Sequence, residues 1–205
     1  MEVIISTRNE NKFKEISKIL SDAKIKAVSL DKFPKAPKKI KEDGKTFADN
    51  ACIKALKIAN STQKLTVADD SGLEVNALNM APGVYSARFS GPGATYESNN
   101  RKLLKSLKDL PNKKDRKARF VCAVAIADAN GIIAVVEGIC NGYIALKEKG
   151  AKGFGYDPLF EVTSHKKTFA QLSPKIKNQI SHRAKAFEKA KKVILRYIKK
   201  EIENK

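Results

Sequence analysis

Val67-Ala68-Asp69-Asp70-Ser71-Gly72-Leu73 is the stretch around which the rest of the chain arranges itself. Leu65, Val67 and the small Ala68 read as the end of a buried strand; two adjacent aspartates follow, then a small hydroxyl residue and a glycine. Adjacent carboxylates at a strand end project to opposite sides, so one can be structural while the other faces a cleft. Like charges this close repel unless a cation sits beside them. Oxygen ligands of this kind suit Mg²⁺, which takes one or two carboxylates and leaves its other positions to water and substrate phosphates. Asp-Asp-Ser-Gly is also good turn chemistry. On these residues alone, polar turn and metal site both stand open.

Working outward, Glu2 to Ser6 reads as a strand with a continuous buried run, Val3-Ile4-Ile5. Thr7-Arg8-Asn9-Glu10-Asn11-Lys12 then leads into a helix marked by Phe13, Ile16, Ile19 and Leu20. A strand-to-helix loop of this polarity is either a simple cap or a phosphate seat, where backbone N–H groups, the helix dipole and Lys12 would meet an anion. It holds no glycine, so it is not a Walker loop. Ile25 to Leu30 reads as a second strand and Lys32 to Lys41 as an exposed loop rich in lysine and proline. Thr46 and Asp49 form a variant capping box for the next helix, which carries Phe47, Ala51, Leu56, Ile58 and Lys54. Glu42, just before Gly44, is a surface acid or a second metal carboxylate.

Beyond the acidic pair, Ala81 to Gly91 reads as an ordered loop or short helix, and Thr95 to Leu107 as a helix with Leu103, Leu104 and Leu107 inward. Ala118 to Ala127 and Ile132 to Tyr143 form two long strands joined at Asn130-Gly131, a strong hairpin signal. Their length predicts a twisted hairpin extending from the sheet. In Gly150 to Phe160, glycines flank Phe154, Tyr156 and Asp157. The segment is a tight core-closing loop or a ligand loop that offers an aromatic face to a planar base. Ser173-Pro174 starts a last helix with the stripe Ile180, Ala184, Phe187, Ala190, Ile194 and Ile198, and with Lys177, His182 and Arg183 off that stripe.

The chain has 205 residues, 42% of them hydrophobic, enough for one large domain or two small lobes. No apolar run is long enough to span a membrane, and the N-terminus lacks signal-peptide character. Cys52, Cys122 and Cys140 are scattered, with no CxxC, and read as buried reduced thiols of a cytosolic protein. The net charge of +19 predicts attraction to polyanions. The lysines are spread along the chain, so the charge does not choose between nucleotides and nucleic acid.

Six segments, in order, resemble the inosine triphosphate pyrophosphatase family, also called XTP/dITP diphosphatases. They are Thr7-x-Asn9-x-x-Lys12, Glu42-x-Gly44-x-Thr46-Phe47-x-x-Asn50-Ala51, Ala68-Asp69-Asp70-Ser71-Gly72-Leu73, Ala81 to Arg88, Gly153-Phe154-Gly155-Tyr156-Asp157-Pro158-x-Phe160 and Ser181-His182-Arg183. The resemblance implies an α/β fold: an elongated, long mixed sheet with flanking helices, one domain over 1–205 built as two lobes with the active site in a central cleft. It implies hydrolysis of ITP, dITP and XTP to the monophosphate and pyrophosphate, one protein-bound Mg²⁺ per subunit, a homodimer and a cytoplasmic location. Carried over residue by residue, Thr7, Arg8, Asn9, Glu10, Asn11 and Lys12 hold the triphosphate. Glu42 and Asp70 anchor Mg²⁺, with Asp70 the proposed proton acceptor; Asp69 and Glu42 stay open for that role, and Asp69 alternatively braces the loop. Lys54 and Ser71 touch substrate, and Phe154, Gly155, Tyr156, Asp157, Lys177, His182 and Arg183 build the base and phosphate pocket. The first loop departs from members that carry a glycine where this chain has Glu10-Asn11. Two other readings compete: a related nucleotide pyrophosphatase with another base preference, and a basic nucleic-acid-binding protein. No helix-turn-helix, zinc or RNA-binding aromatic motif supports the last, and Asp69-Asp70 would repel phosphate without a metal.

Overall fold

The computed structural model describes residues 2–23, 25–34 and 36–203, so Lys35 of the expected exposed loop lies outside the described residues. In chain order the principal elements are β1 (Glu2–Ile5), α1 (Glu10–Ser21), β2 (Lys26–Ser29), α2 (Phe47–Thr62), β3 (Thr66–Val75), α3 (Tyr96–Ser106), β4 (Lys117–Asp128), β5 (Gly131–Ile144), β6 (Phe160–Val162), β7 (Lys167–Thr168), α4 (Pro174–Ile180) and α5 (His182–Glu203). The strands form one sheet in the order β2-β1-β3-β4-β5-β6-β7. β1 runs parallel to β2 and β3, while β5, β6 and β7 pair antiparallel, so the sheet is mixed, as expected of this α/β class.

The chain divides into two compact units. The first comprises Met1–Asp70, Cys122–Gly138 and Arg183–Lys205. Successive β1 residues enter different clusters: Val3 and Ile5 join Ile16, Ile19 and Leu20 of α1 and Phe187, Ala190 and Ile194 of α5, whereas Ile4 joins Leu30, Ala36 and Ile58. A strand buried on both faces has no polar alternation, which is why its sequence is a continuous apolar run. In α2, Ala51, Ala55 and Ala59 are fully buried, so the helix approaches its neighbours closely. Its start is the expected capping box: Thr46 Oγ1 accepts the Asp49 N–H at 3.1 Å and Asp49 Oδ2 accepts the Thr46 N–H at 2.9 Å.

The second unit comprises Ser71–Val121 and Ile139–His182. Its core gathers Leu73, Val75, Leu103, Leu107, Leu159 and three phenylalanines. Phe120, Phe160 and Phe169 pack with ring centroids 4.7, 5.2 and 5.9 Å apart, the range of favourable tilted and edge contacts.

Three expectations change. The acidic pair does not end its strand: β3 runs on to Val75, with Asp69 and Asp70 inside it. Turn chemistry loses here because the strand is paired and buried and partners neutralise both carboxylates. The long hairpin does not project from the sheet: β4 sits at its centre, between β3 and β5. Phe120 to Ala127 are buried without a break, as a strand covered on both faces requires. The last helix is two helices. Ser181 is buried and extended (φ −68°, ψ 158°), and it ends α4 and precedes α5. Ile180 therefore packs in the second unit's core and Ala184 in the first's. The hairpin turn itself forms as expected, with Asp128 Oδ1 accepting the N–H groups of Asn130 (2.8 Å) and Gly131 (3.2 Å). Cys122 and Cys140 are buried thiols, but Cys52 is only half-buried.

Phe187 is fully buried in the first unit's cluster. We predict that Phe187→Ala lowers the unfolding free energy by about 3–5 kcal/mol, measured by urea denaturation. A loss under about 1 kcal/mol would show that the α5 stripe does not carry this core.

Candidate active site

Asp69 and Asp70 face different partners, as alternation along β3 dictates. Asp69 is buried and lies 2.9 Å from Lys12 Nζ and 3.6 Å from an Arg183 terminal nitrogen. Arg183, itself buried, also donates to Glu15 Oε2 at 2.7 Å. Burial pushes the Asp69 carboxyl up, but the Lys12 and Arg183 charges outweigh it and hold Asp69 well below the usual carboxylate range. The same two carboxylates hold the Arg183 guanidinium protonated against its own burial.

Asp70 looks the other way. Its Oδ1 lies 3.4 Å from Lys54 Nζ and its Oδ2 accepts from Asn50 Nδ2 at 3.1 Å. The same ammonium donates to Glu42 Oε2 at 2.7 Å. Burial raises the Asp70 carboxyl, and neighbouring Glu42 adds to the rise; Lys54, Lys12 and the Asn50 hydrogen bond offset only part of it. Burial alone would lower Lys54, but Asp70, Asp69 and Glu42 together raise it. Two carboxylates thus converge on one cationic centre.

That convergence is the test of fit for Mg²⁺. Glu42 and Asp70 supply two hard oxygen ligands to one point, the number that Mg²⁺ usually takes from protein. Among the described residues no group of three His, Cys, Asp or Glu side chains could hold a metal. A dedicated all-protein cage is therefore absent there, while a cation completed by water and phosphate oxygens fits.

The first loop is more tightly self-bonded than its sequence suggested. Asn9 caps α1, its Oδ1 accepting the N–H groups of Asn11 (3.0 Å) and Lys12 (3.1 Å), and Thr7 Oγ1 accepts the Asn9 N–H at 3.2 Å. Glu10 opens α1 on its exposed side, and Arg8 turns to Asp31 and the Pro37 carbonyl, where it is half-exposed. Lys12 is the loop's inward charge.

In the second unit, Lys177 Nζ donates to Asp157 Oδ2 at 2.6 Å, and that oxygen also accepts the Phe154 N–H at 2.9 Å. The ammonium stands 4.8 Å from the Phe154 ring centre. Gly153 and Gly155 take φ of +79° and +63°, a region other residues avoid. A Cβ on Gly153 would also strike Asp157. Tyr156 points inward rather than to a ligand: it is buried, with its hydroxyl on the Ser86 carbonyl at 2.9 Å. Phe154 alone keeps a half-exposed aromatic face. His182 is buried and stacked on Phe120, with centroids 4.5 Å apart and planes 9° apart. Ser71 follows Asp70 in β3 and is half-buried.

The structure therefore brings Lys12, Glu42, Lys54, Asp69, Asp70 and Arg183 together in the first unit, and Phe154, Asp157 and Lys177 in the second. Sequence reasoning gave no role to Glu15 or Asn50. Glu15 left a signal, standing one helical turn after Lys12; Asn50 did too, four residues before Lys54 on one helix face. The Phe120 stack under His182 left none, because the two are brought together only by packing.

A sequence model of the Ham1 family matches residues 3–193. The dITP/XTP pyrophosphatase of Desulforamulus reducens is 49% identical over 203 residues, which cover 98% of this chain and 100% of that protein. The dITP/XTP pyrophosphatase of Desulfotalea psychrophila is 49% identical over 92% of this chain and 83% of its own. Among solved structures, a HAM1 protein from Coxiella burnetii superposes with a TM-score of 0.86 at 39% identity, over 96% of this chain and 99% of that one. The Ham1 protein of Staphylococcus aureus gives 0.82 at 37% identity, over 95% and 98%.

Asp69 is depressed in the folded state, below its unfolded value near 3.9. Its stabilisation is therefore complete above that unfolded value and is lost as pH falls from there toward the folded one. We predict that Asp69→Asn, which leaves Lys12 without its counter-charge, costs about 3–5 kcal/mol at pH 7. The gap from wild type should narrow at pH 3 in urea denaturation; a gap independent of pH would overturn the assignment.

Proposed function

This chain belongs to the Ham1 family, and on that premise we propose that it hydrolyses ITP, dITP and XTP to the nucleoside monophosphate and pyrophosphate. Such an enzyme removes non-standard purine nucleotides before they enter DNA or RNA. The observation that carries the reading is the shared seat of Glu42 and Asp70 around one cationic centre. It is supported by the dITP/XTP pyrophosphatase names of relatives alike over almost the whole chain.

Cleavage forms a bond from a water oxygen to the α phosphorus, breaks the bridge to the β phosphate and releases pyrophosphate. The water proton needs a base, and positive charge must meet the developing oxyanions. Glu42 and Asp70 would hold Mg²⁺, which when bound supplies Lewis-acid charge to the phosphate oxygens. Lys12 and Lys54 of the first unit supply fixed positive charge. Thr7 to Lys12 and Ser71 orient the phosphates. Asp70 takes the water proton, a role favoured by its raised carboxyl. Asp69 does not take it: Lys12 and Arg183 hold it ionised, and its work is to fix those two cations.

The base is assigned to Phe154, Gly155 and Asp157, with His182 as a donor to a 6-oxo group. An adenine amino group would meet a donor there and leave buried groups unpaired, at roughly 1–3 kcal/mol each. The same reading places a homodimer in the cytoplasm. Among the described residues no helix is long and apolar enough to cross a membrane.

The decisive assay incubates the protein with Mg²⁺ and ITP, XTP, dATP or dGTP and identifies the phosphate product. Pyrophosphate from ITP and XTP, with little from dATP or dGTP, is the expected result; orthophosphate would mean cleavage at the terminal phosphate. Asp70→Asn should lower turnover by at least about 100-fold with the far-ultraviolet spectrum unchanged. A fully active variant would sink the role of Asp70.

A further inference from the structure

Asn50 sits in the first turn of α2 and is 1% exposed. A buried carboxamide must use its polar atoms, and this one uses both ends. Its Oδ1 accepts the Gly44 N–H at 2.8 Å, and its Nδ2 donates to Asp70 Oδ2 at 3.1 Å. The orientation follows from chemistry: a backbone N–H only donates and an ionised carboxylate only accepts, so a flipped amide would lose both bonds.

Each bond constrains one of the converging carboxylates. Binding Asp70 Oδ2 leaves Oδ1 as the oxygen turned to Lys54. Binding the Gly44 N–H pins the backbone two residues after Glu42, whose Oε2 meets the same ammonium. Gly44 is fitted to this contact: a Cβ there would stand 2.5 Å from Asp49 Cβ and 2.7 Å from Asn50 Oδ1. Helix capping does not account for Asn50, because Thr46 and Asp49 already form the capping box and Asp49 Oδ2 also takes the Lys45 N–H at 3.1 Å.

We propose that Asn50 is a positioning residue for the cation site. It holds the Glu42 loop and the Asp70 side chain in one frame and acts through them without touching the cation. The inference rests on the reading that Glu42 and Asp70 bind Mg²⁺. Partners that orient metal ligands from behind typically cost 10–100-fold in metal affinity when removed.

The test uses Mn²⁺ as the probe, since it shares the oxygen ligands of Mg²⁺. Electron paramagnetic resonance of free Mn²⁺ gives its affinity for the nucleotide-free protein, and a Mg²⁺ titration of turnover runs in parallel. The variants are Asn50→Leu, Asn50→Ser, Gly44→Ala and Glu42→Gln. Asn50→Leu deletes both bonds while keeping the branched shape, and Gly44→Ala disturbs the same bracket from the loop side. In the Asn50 and Gly44 variants, the Mn²⁺ dissociation constant and the Mg²⁺ concentration for half-maximal turnover should rise about 10–100-fold. Turnover should recover to within a few-fold of wild type at saturating Mg²⁺. Should Asn50→Leu fail to fold, Asn50→Ser and Gly44→Ala carry the same test. Weakened binding in Glu42→Gln with wild-type affinity in the folded Asn50 and Gly44 variants would overturn the inference. Wild-type affinity in Glu42→Gln would instead overturn the metal-site reading beneath it.

Discussion

Two adjacent ionised carboxylates inside a buried strand are the constraint on which the first unit depends. At this spacing, and with little water, neither could stay charged alone. The fold answers by sending different cations to each side. α1 delivers Lys12 and α5 delivers Arg183 to Asp69, while α2 delivers Lys54 to Asp70. Lys12 and Arg183 lie in the first turns of their helices and Lys54 in the middle of its own, so the placement of these helices answers to the charges of β3 as well as to the apolar stripes behind them. Removing one partner would leave a buried charge unpaired, which explains why the network is closed further by Glu15 and Asn50.

The division of labour within the pair follows from what surrounds each carboxylate. Asp69 is enclosed by positive charge and is held ionised. Asp70 shares its space with another acid, Glu42, and is held upward. In the reaction proposed above, the base and the shared cation are therefore given to Asp70 and the fixed counter-ion to Asp69. The second unit repeats the device with one pair. Asp157 binds Lys177 and the Phe154 N–H through one oxygen, so the same contact that neutralises the charge also sets the loop that carries Phe154.

Much of this is legible in the sequence, for reasons that differ by element. The β1 run, the Thr46-Asp49 capping box and the Asp128 to Gly131 turn are local, and their residues can do little else. What failed was non-local. Asp-Asp-Ser-Gly has turn chemistry, and only the cations of three distant helices make it part of a strand. The β4–β5 pair has a hairpin's sequence, but its place in the sheet depends on both faces of β4 being covered. Ser181 reads as one polar residue within a helical period, yet Ile180 and Ala184 belong to different cores, and the break lets each side reach its own. The family resemblance put the site residues forward as a set. It did not give their pairings, because Arg183 reads as a free donor until Glu15 and Asp69 are seen beside it.

The strong positive charge of the chain has a separate origin from this network. Among the described residues, the buried acids are Asp69, Asp70, Asp157 and Glu161, and the buried bases, leaving His182 aside, are Lys54, Arg116, Lys177 and Arg183. The described interior is thus balanced, so the charge surplus of the described residues stands on groups that water reaches. Charges of that kind act at long range and are screened over about 8 Å at physiological salt. They raise the local concentration of any polyanion and the rate at which it arrives, without distinguishing one base from another. Discrimination has to come from the balanced interior groups, where an unpaired donor or acceptor carries its full desolvation cost. Encounter and selection are in this way assigned to different lysines and arginines of the same chain, and they should respond to salt independently.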